Sequence, residues 1–220
     1  CGFEEGIENI DWSGSRKGVA DVTLLAAELI AGRAIASIAS LTLDSNGIFG
    51  EIWSDGSAKE ADKFVTEVQP LLDALKTSSI TSLSLRGTGM GVKGVAAVAD
   101  AMSKMASVAS ISLSGNMITG STDIGRSYAK YDLDLSGIIA LGEAEAILKT
   151  LTSIDLSNCG IAAKGIAEVT KFISVNNSIT SCCILNNPLG EGVSEIIKVF
   201  QDTPRLRTLC GFEEGIEKVD

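Results

Sequence analysis

Three glycines, Gly89, Gly91 and Gly94, have the GxGxxG spacing of a dinucleotide-binding turn. They lie between a predicted strand and a predicted helix, which is the context in which such a turn binds a pyrophosphate. However, Gly94 recurs as Gly165 and Gly192 at the starts of later predicted helices, where the motif is absent. A repeated packing position therefore explains the glycines, and we predict that the chain binds no cofactor.

A second pattern is similar to a calcium-binding loop. Positions 1, 3, 5, 6 and 12 of that loop correspond to Asp132, Asp134, Ser136, Gly137 and Glu143. Against a metal site, residues 119–131 do not form an amphipathic helix that enters the loop. Ser136 is also a suitable N-cap for the helix predicted after it. We predict no metal site and keep calcium binding as a weaker alternative.

The composition excludes several classes of chemistry. The chain has 220 residues and no His, which excludes Ser-His-Asp and Cys-His nucleophile systems and His-bound zinc. Its 28 Asp and Glu residues outnumber its 18 Lys and Arg residues, and a net charge of -10 repels phosphate backbones and anionic membrane surfaces. No segment has the roughly 18 continuous apolar residues of a membrane span. These features predict a protein that is not an enzyme and whose partner is neither a nucleic acid nor a membrane.

The cysteines indicate reduced thiols. The chain has five: Cys1, Cys159, Cys182, Cys183 and Cys210. An odd number without CxxC spacing is not typical of a disulfide framework or a zinc ribbon. Reduced thiols favour a cytoplasmic location. Cys183 and Cys210 are expected to be neighbours on one face of adjacent strands.

A short apolar pattern occurs seven times along the chain. The copies start at Ile7, Ile38, Ile80, Val108, Leu151, Ile179 and Leu206. Their spacing is 27 to 31 residues, except for two intervals of 42 and 43 residues. In a typical copy, Val108, Ile111 and Leu113 precede a turn that contains Asn116. Each copy therefore predicts a short strand with alternate buried residues, followed by a turn.

Helical patterns follow the strand copies, as in Ile166, Val169, Phe172 and Ile173, where apolar residues are three and four positions apart. Each repeat is thus a strand, a turn and a helix. Parallel strands stacked beside parallel helices form a curved α/β solenoid, with the sheet on the concave side and the helices on the convex side. We predict a single domain over residues 1–220 with about seven repeats, the last one incomplete.

These residues resemble the leucine-rich repeats of the ribonuclease-inhibitor-like subclass, whose pattern is LxxLxLxx(N/C)xL followed by a full helix. The polar turn position of the clearest copies holds Asn46, Asn116, Cys159 and Asn187. The resemblance covers nearly the whole chain and departs from the pattern in the first and last copies. Members of this family commonly bind proteins, so the resemblance implies a protein partner and no cofactor.

The two long intervals place insertions near residues 49–60 and 119–135. Their alternating positions predict a higher-order repeat. They contain four of the ten aromatic residues, Phe49, Trp53, Tyr128 and Tyr131, in segments whose Asp, Gly and Ser content predicts loops or small hairpins. These aromatics either hold the insertions against the solenoid or contact a protein partner, and we take them as candidate binding residues.

The concave face is predicted from the strand residues that point away from the core. Its first row is Asn9, Ser40, Ser82, Ser110, Ser153, Ser181 and Thr208, and its second row is Asp11, Thr42, Ser84, Ser112, Asp155, Cys183 and Cys210. The third row includes Asp44 and the single arginine of this face, Arg86. Asp11, Asp44 and Asp155 are the candidate binding residues here, although a face rich in Ser lacks the Trp and Tyr of strong interfaces.

The first eleven residues recur at the other end of the sequence. Residues 1–11 return as residues 210–220 with two differences, an offset of 209 residues. We therefore expect the chain to be a fragment of a longer repeat protein. The predicted function is a non-enzymatic protein-interaction or scaffold module, and the alternative is a structural solenoid segment that continues or associates weakly head to tail. The acidic residues near both ends would keep such association weak.

Overall fold

Six short parallel strands form the main sheet. A computed structural model of the chain describes residue 3 and residues 6–32, 37–54, 56–144 and 149–211. The sheet strands are β1 (Asn9–Asp11), β2 (Ser40–Thr42), β5 (Ser82–Ser84), β6 (Ser110–Ser112), β7 (Ser153–Asp155) and β8 (Ser181–Cys183), paired in that order. A second, antiparallel sheet consists of β3 (Glu51–Ile52) and β4 (Ala58–Glu60). The strand order follows the chain order, as stacked repeats require.

The register of the sheet follows the repeat pattern. Ser40 pairs with Ser82, Ser82 with Ser110, and Ser110 with Ser153. The central residue of each strand is buried, while its two neighbours on the other face are at least partly exposed. The alternation predicted for the concave face is therefore present in all six strands.

Helices cover the other face of the sheet. They are α1 (Val19–Ala31), α2 (Gln69–Leu75), α3 (Val92–Met102), α4 (Ser136–Glu143), α5 (Ala163–Val175) and α6 (Val193–Asp202), and a 3-10 turn at Gly190–Gly192 precedes the last. Each packs beside the next in the chain. In α5, Ile166, Val169 and Ile173 are completely buried because their spacing places them on one side of the helix. None of the described helices is long and apolar enough to cross a membrane.

Three asparagines connect successive turns of the solenoid. Asn116 Oδ1 accepts backbone hydrogen bonds from Thr88 (3.1 Å) and Met90 (3.0 Å) of the preceding repeat, and its Nδ2 donates to the Leu85 and Leu113 carbonyls.

Asn46 and Asn187 connect their turns in the same way. Asn46 accepts a hydrogen bond from Lys17 N and donates to the Trp12 carbonyl. Asn187 accepts hydrogen bonds from Cys159 N and Ile161 N and donates to the Leu156 carbonyl. These amides satisfy turn groups that are removed from water, which is why a polar residue occupies this position.

The seventh copy adds only an edge to the sheet. Thr208 forms an isolated parallel bridge with Ser181, and Arg207 N donates to the Thr180 carbonyl (2.7 Å). The repeated segment at residues 210–220 lies outside the described residues except for its first two positions. Because its sequence nearly duplicates residues 1–11, we expect this segment to adopt the same conformation at the C-terminal edge, and this stays a prediction.

Candidate functional site

The first insertion ends at Asp62, whose carboxylate lies at the N-terminus of α3. Oδ1 accepts hydrogen bonds from Gly91 N (2.7 Å) and Gly94 N (2.8 Å), and Oδ2 accepts one from Lys93 N (2.7 Å). Asp62 has a left-handed backbone, with φ of 62°. A negative side chain at this position satisfies the free N–H groups of the helix and interacts favourably with its dipole. The helix itself belongs to the next repeat, so this contact joins two repeats.

The second insertion repeats the arrangement with Asp132. Its Oδ1 accepts a hydrogen bond from Ala162 N (3.1 Å) and its Oδ2 accepts one from Gly165 N (2.7 Å), both at the start of α5. Asp132 also has a left-handed backbone, with φ of 53°. The higher-order repeat predicted from the alternating insertions therefore has a structural counterpart in these two carboxylates.

The glycines of the GxGxxG motif accommodate the first insertion. A Cβ atom on Gly89 would lie 2.6 Å from the Gly50 carbonyl oxygen, and one on Gly91 would lie 2.6 Å from Asp62 Oδ2. A Cβ atom on Gly94 would lie 2.7 Å from Asp62 Oδ1. The backbone donors that would bind a pyrophosphate thus already bind a carboxylate of the chain.

The residues of the calcium-loop pattern face two different helices. Asp132 is bonded to α5, whereas Asp134 Oδ1 accepts hydrogen bonds from Ser136 Oγ (2.7 Å) and Ser136 N (2.9 Å) at the start of α4. These two bonds lower the pKa of Asp134 from its usual value. The expectation that Ser136 caps α4 is wrong, because Ser136 is already the first helical residue and the acceptor is Asp134. Within the described ranges, no group of three or more His, Cys, Asp or Glu residues could hold a metal ion.

The four aromatic candidates differ in exposure. Phe49 is completely buried in the core, so the prediction that it contacts a partner is wrong: its side chain holds the insertion against the solenoid. Trp53 is 56% exposed and Tyr128 is 64% exposed, and they lie on the first and second insertions respectively. Tyr131 is half-buried. Two aromatic side chains are therefore presented to solvent from separate insertions.

Ion pairs hold the first insertion in its hairpin form. Glu51 on β3 pairs with Lys59 on β4 (2.7 Å) and with Lys63. Hydrogen bonds from these two ammonium groups lower the pKa of Glu51 to about 2. Lys59 also lies over the Trp53 ring, with its Nζ 5.4 Å from the ring centroid. The position of Trp53 is thus tied to the paired strands.

The second insertion forms a similar but looser hairpin. Thr122 and Lys130 exchange both backbone hydrogen bonds, at 2.9 and 3.2 Å. Ser121 Oγ donates to the Gly160 carbonyl (2.8 Å) and accepts a bond from Asp132 N (3.1 Å). In the first insertion the equivalent connection is direct, from Asp62 N to the Gly89 carbonyl (3.0 Å).

A groove separates the two insertions. It consists of one cavity of about 770 Å³ beside the turns at the ends of the sheet strands and one of about 440 Å³ beside the start of α3. Ala61, Met117 and Thr122 line both cavities, so the two cavities are adjacent. Trp53 and Arg86 line the larger one. The groove is therefore a candidate binding site of the described part of the chain.

The acidic residues of the concave face bond to neighbouring serines. Asp44 Oδ1 accepts a hydrogen bond from Ser84 Oγ (2.6 Å), and Asp155 Oδ2 accepts one from Ser112 Oγ (2.9 Å). Asp11, which is exposed, accepts from the hydroxyl and the N–H of Ser13, and these bonds lower its pKa. The hydroxyls of Ser13, Ser84 and Ser112 therefore have partners within the protein.

The cysteines that the structure describes are all free. Burial raises the pKa of the Cys159 thiol to about 12 and also raises that of Cys182. Cys183 and Cys210 were expected to be neighbours on adjacent strands, but the strand register shifts between them. Cys182 N donates to the Thr208 carbonyl, whereas Ile184 N donates to the Leu209 carbonyl. Gly211 instead approaches Cys183: a Cβ atom on it would lie 3.0 Å from Cys183 Cβ.

Sequence reasoning missed Asp62 and Arg126 and assigned Arg86 only to the concave face. Asp62 was not identified as a cap, although its position 70 residues before Asp132 within the higher-order repeat is a usable signal. Arg86 was placed on the concave face, but its side chain lines the groove, and Arg126 was not singled out. No local pattern distinguishes these arginines, because the groove is formed by segments that are distant in sequence.

A comparison with protein-family models agrees with the repeat architecture. A family model described as "Leucine Rich repeat" matches residues 148–169. Among solved structures, the chain is similar to one titled "Leiomodin-1 Actin-Binding Site 2 (ABS2)", with 20% sequence identity and a TM-score of 0.44 over 68% of this chain and 79% of that chain. No curated protein sequence matches the chain. The matched repeat and the parallel sheet of strand-turn-helix units together make this chain an α/β leucine-rich-repeat solenoid.

Proposed function

We propose that the chain is a non-enzymatic protein-interaction module of the ribonuclease-inhibitor-like subclass, within a longer repeat protein. Complete helices such as α1 and α5, each of 13 residues, support the subclass. The return of residues 1–11 at 210–220 supports a longer repeated array. The free thiols support a reducing compartment such as the cytoplasm.

One observation carries the interaction function. Trp53 and Tyr128 are exposed on two separate insertions that flank a groove. Aromatic side chains bury a large apolar area on binding at a small cost in conformational entropy, and an exposed Trp or Tyr is a frequent anchor of protein interfaces. The insertion rim, which we define as residues 51–60 and 119–131, is therefore the proposed partner-binding surface.

The concave face is a weaker candidate for the same role. Ser84 and Ser112 already donate their hydroxyl hydrogens to Asp44 and Asp155. A partner would have to replace these bonds, so contacts to these serines would add little net free energy. Asp11, Asp44 and Asp155 remain candidate contacts of secondary importance.

The experiment compares the two surfaces in binding to one partner. The whole chain is used as bait in an extract of its source cells, the retained protein is purified, and its affinity is measured by calorimetry. Trp53→Ala and Tyr128→Ala should each weaken binding by about 1 kcal/mol or more. Ser84→Ala and Ser112→Ala, as matched truncations on the concave face, should leave the affinity nearly unchanged. The opposite ranking would refute the rim as the binding surface.

A second candidate function is structural continuation of the solenoid. Val193 and Ile197 are 41% and 45% exposed, and they lie one turn apart on α6, the last described helix. An apolar pair at this place is what a further repeat would cover. Weak head-to-tail self-association would have the same origin, and light scattering at millimolar protein and high salt tests it: a strictly monomeric mass would exclude it.

A further inference from the structure

The larger cavity of the groove between the insertions carries net positive charge in an acidic protein. Arg86 and Arg126 line the larger cavity and Lys93 lines the smaller one, and all three are exposed. Among the described residues, no ion pair involves any of these three side chains. Lys59 also lines the larger cavity, but it is paired with Glu51. The chain as a whole has a net charge of -10, so this cationic line contrasts with the rest of the molecule.

Few negative charges oppose the cations of the larger cavity. Of the described residues that line it, only Asp123 carries a carboxylate, against Arg86 and Arg126. The smaller cavity has no such excess, because Asp62 and Asp134 line it together with Lys93. The positive charge of the larger cavity is therefore available to a ligand.

The arrangement suits an extended chain better than a small anion. A phosphate site needs several donors that converge on one point, and the converging N–H groups of α3 are taken by Asp62. The remaining cations, Arg86 and Arg126, line the larger cavity at positions 40 residues apart in sequence. Charges distributed in this way match acidic side chains spaced along a peptide, and the exposed Trp53 ring offers an apolar contact at the same cavity.

We infer that the groove between the insertions binds an extended segment of a partner protein that is rich in Asp and Glu. This inference rests on the proposed interaction function and names the chemistry of the partner. Arg86 and Arg126 bind the carboxylates of the segment. Guanidinium groups suit this role because they form paired hydrogen bonds with carboxylates.

The test uses a fluorescein-labelled peptide of alternating Glu and Gly and a matched peptide with Gln in place of Glu. Fluorescence anisotropy with the whole chain at low salt should show saturable binding of the Glu peptide and much weaker binding of the Gln peptide. The double variant Arg86→Ala and Arg126→Ala should weaken binding of the Glu peptide about tenfold or more. Circular dichroism of each variant verifies that it is folded.

A matched variant controls for net charge. Lys164→Ala with Lys198→Ala removes the same charge from exposed positions on α5 and α6 and should leave the affinity for the Glu peptide unchanged. Equal weakening by both double variants, or equal binding of the two peptides, would overturn the inference. Concentration-dependent self-association that the arginine variant abolishes would also overturn it, since the occupant would then be a second copy of the chain.

The same variants separate this inference from the proposed function. A purified partner whose affinity depends on Trp53 but not on Arg86 and Arg126 would leave the interaction function intact and refute the acidic segment. A Glu peptide that binds through Arg86 and Arg126, together with a partner whose affinity does not depend on Trp53 or Tyr128, would support the groove chemistry. It would refute the aromatic residues of the insertion rim as the partner-binding surface.

Discussion

Asp62 and Asp132 lie 70 residues apart and make the same contact with the helix of the following repeat. Each ends an insertion in a left-handed conformation and accepts hydrogen bonds from N–H groups at the helix start, Asp62 at α3 and Asp132 at α5. The insertions are therefore joined to the solenoid at their ends by charge and hydrogen bonding, which positions the groove between them.

Asp62→Asn should destabilise the protein by about 1 kcal/mol, because Asn keeps one acceptor oxygen and loses both the second acceptor and the charge at the helix N-terminus. Asn also tolerates the left-handed backbone, so the effect reports on the contact. Urea unfolding monitored by circular dichroism measures the change. Asp123→Asn is the control, since Asp123 is exposed and also left-handed. Equal stability of the two variants would contradict the role of the cap.

Nicotinamide and flavin dinucleotides should not bind at Gly89, Gly91 and Gly94. The N–H groups that a pyrophosphate would need are bonded to Asp62, and displacing its carboxylate by another anion would bring no net gain. Isothermal titration calorimetry with each dinucleotide tests this expectation. Saturable binding with a micromolar dissociation constant would refute it.

Calcium should leave the melting temperature unchanged. The carboxylates of Asp132 and Asp134 are directed at two different helices, and a shared metal ion would have to compete with their backbone hydrogen bonds. Thermal unfolding with millimolar calcium or with a chelator gives the comparison. A clear rise with calcium that disappears when Asp132→Ala and Asp134→Ala are combined would establish a calcium site.

Asn116→Ala should destabilise the protein by about 3 kcal/mol, because it leaves buried N–H and carbonyl groups of two turns without partners. Urea unfolding again measures the change in free energy. Asn177→Ala, at an exposed position, is the matched control and should have little effect. A small effect of Asn116→Ala would show that other groups or water satisfy these turns.

The repeat pattern predicts the parallel sheet and the residues of its concave face because its information is local and recurs. Alternation of apolar and polar residues sets the buried side of each strand, as at Leu83 between Ser82 and Ser84. Periodicity predicts the buried side of a helix in the same way. The position of the insertions also follows from the repeat intervals.

The roles of individual side chains are harder to predict from local patterns. Ser136 fits an N-cap in the local pattern, but the acceptor is Asp134. Phe49 has the same aromatic character as Trp53, and only the packing of the insertion buries the first and exposes the second. Local sequence does not encode which of several equivalent side chains a neighbouring segment covers.

The amino-acid sequence by itself determined the repeat length, the strand and helix faces and the absence of His chemistry, because each depends on residue type and short-range spacing. Only the tertiary structure decided that Asp62 occupies the anion position of the glycine motif and that Arg86 and Arg126 line one cavity. These relationships join segments separated by about 30 to 40 residues. Their geometry follows from how the two insertions fold onto successive repeats, and packing of distant segments has no short-range signature.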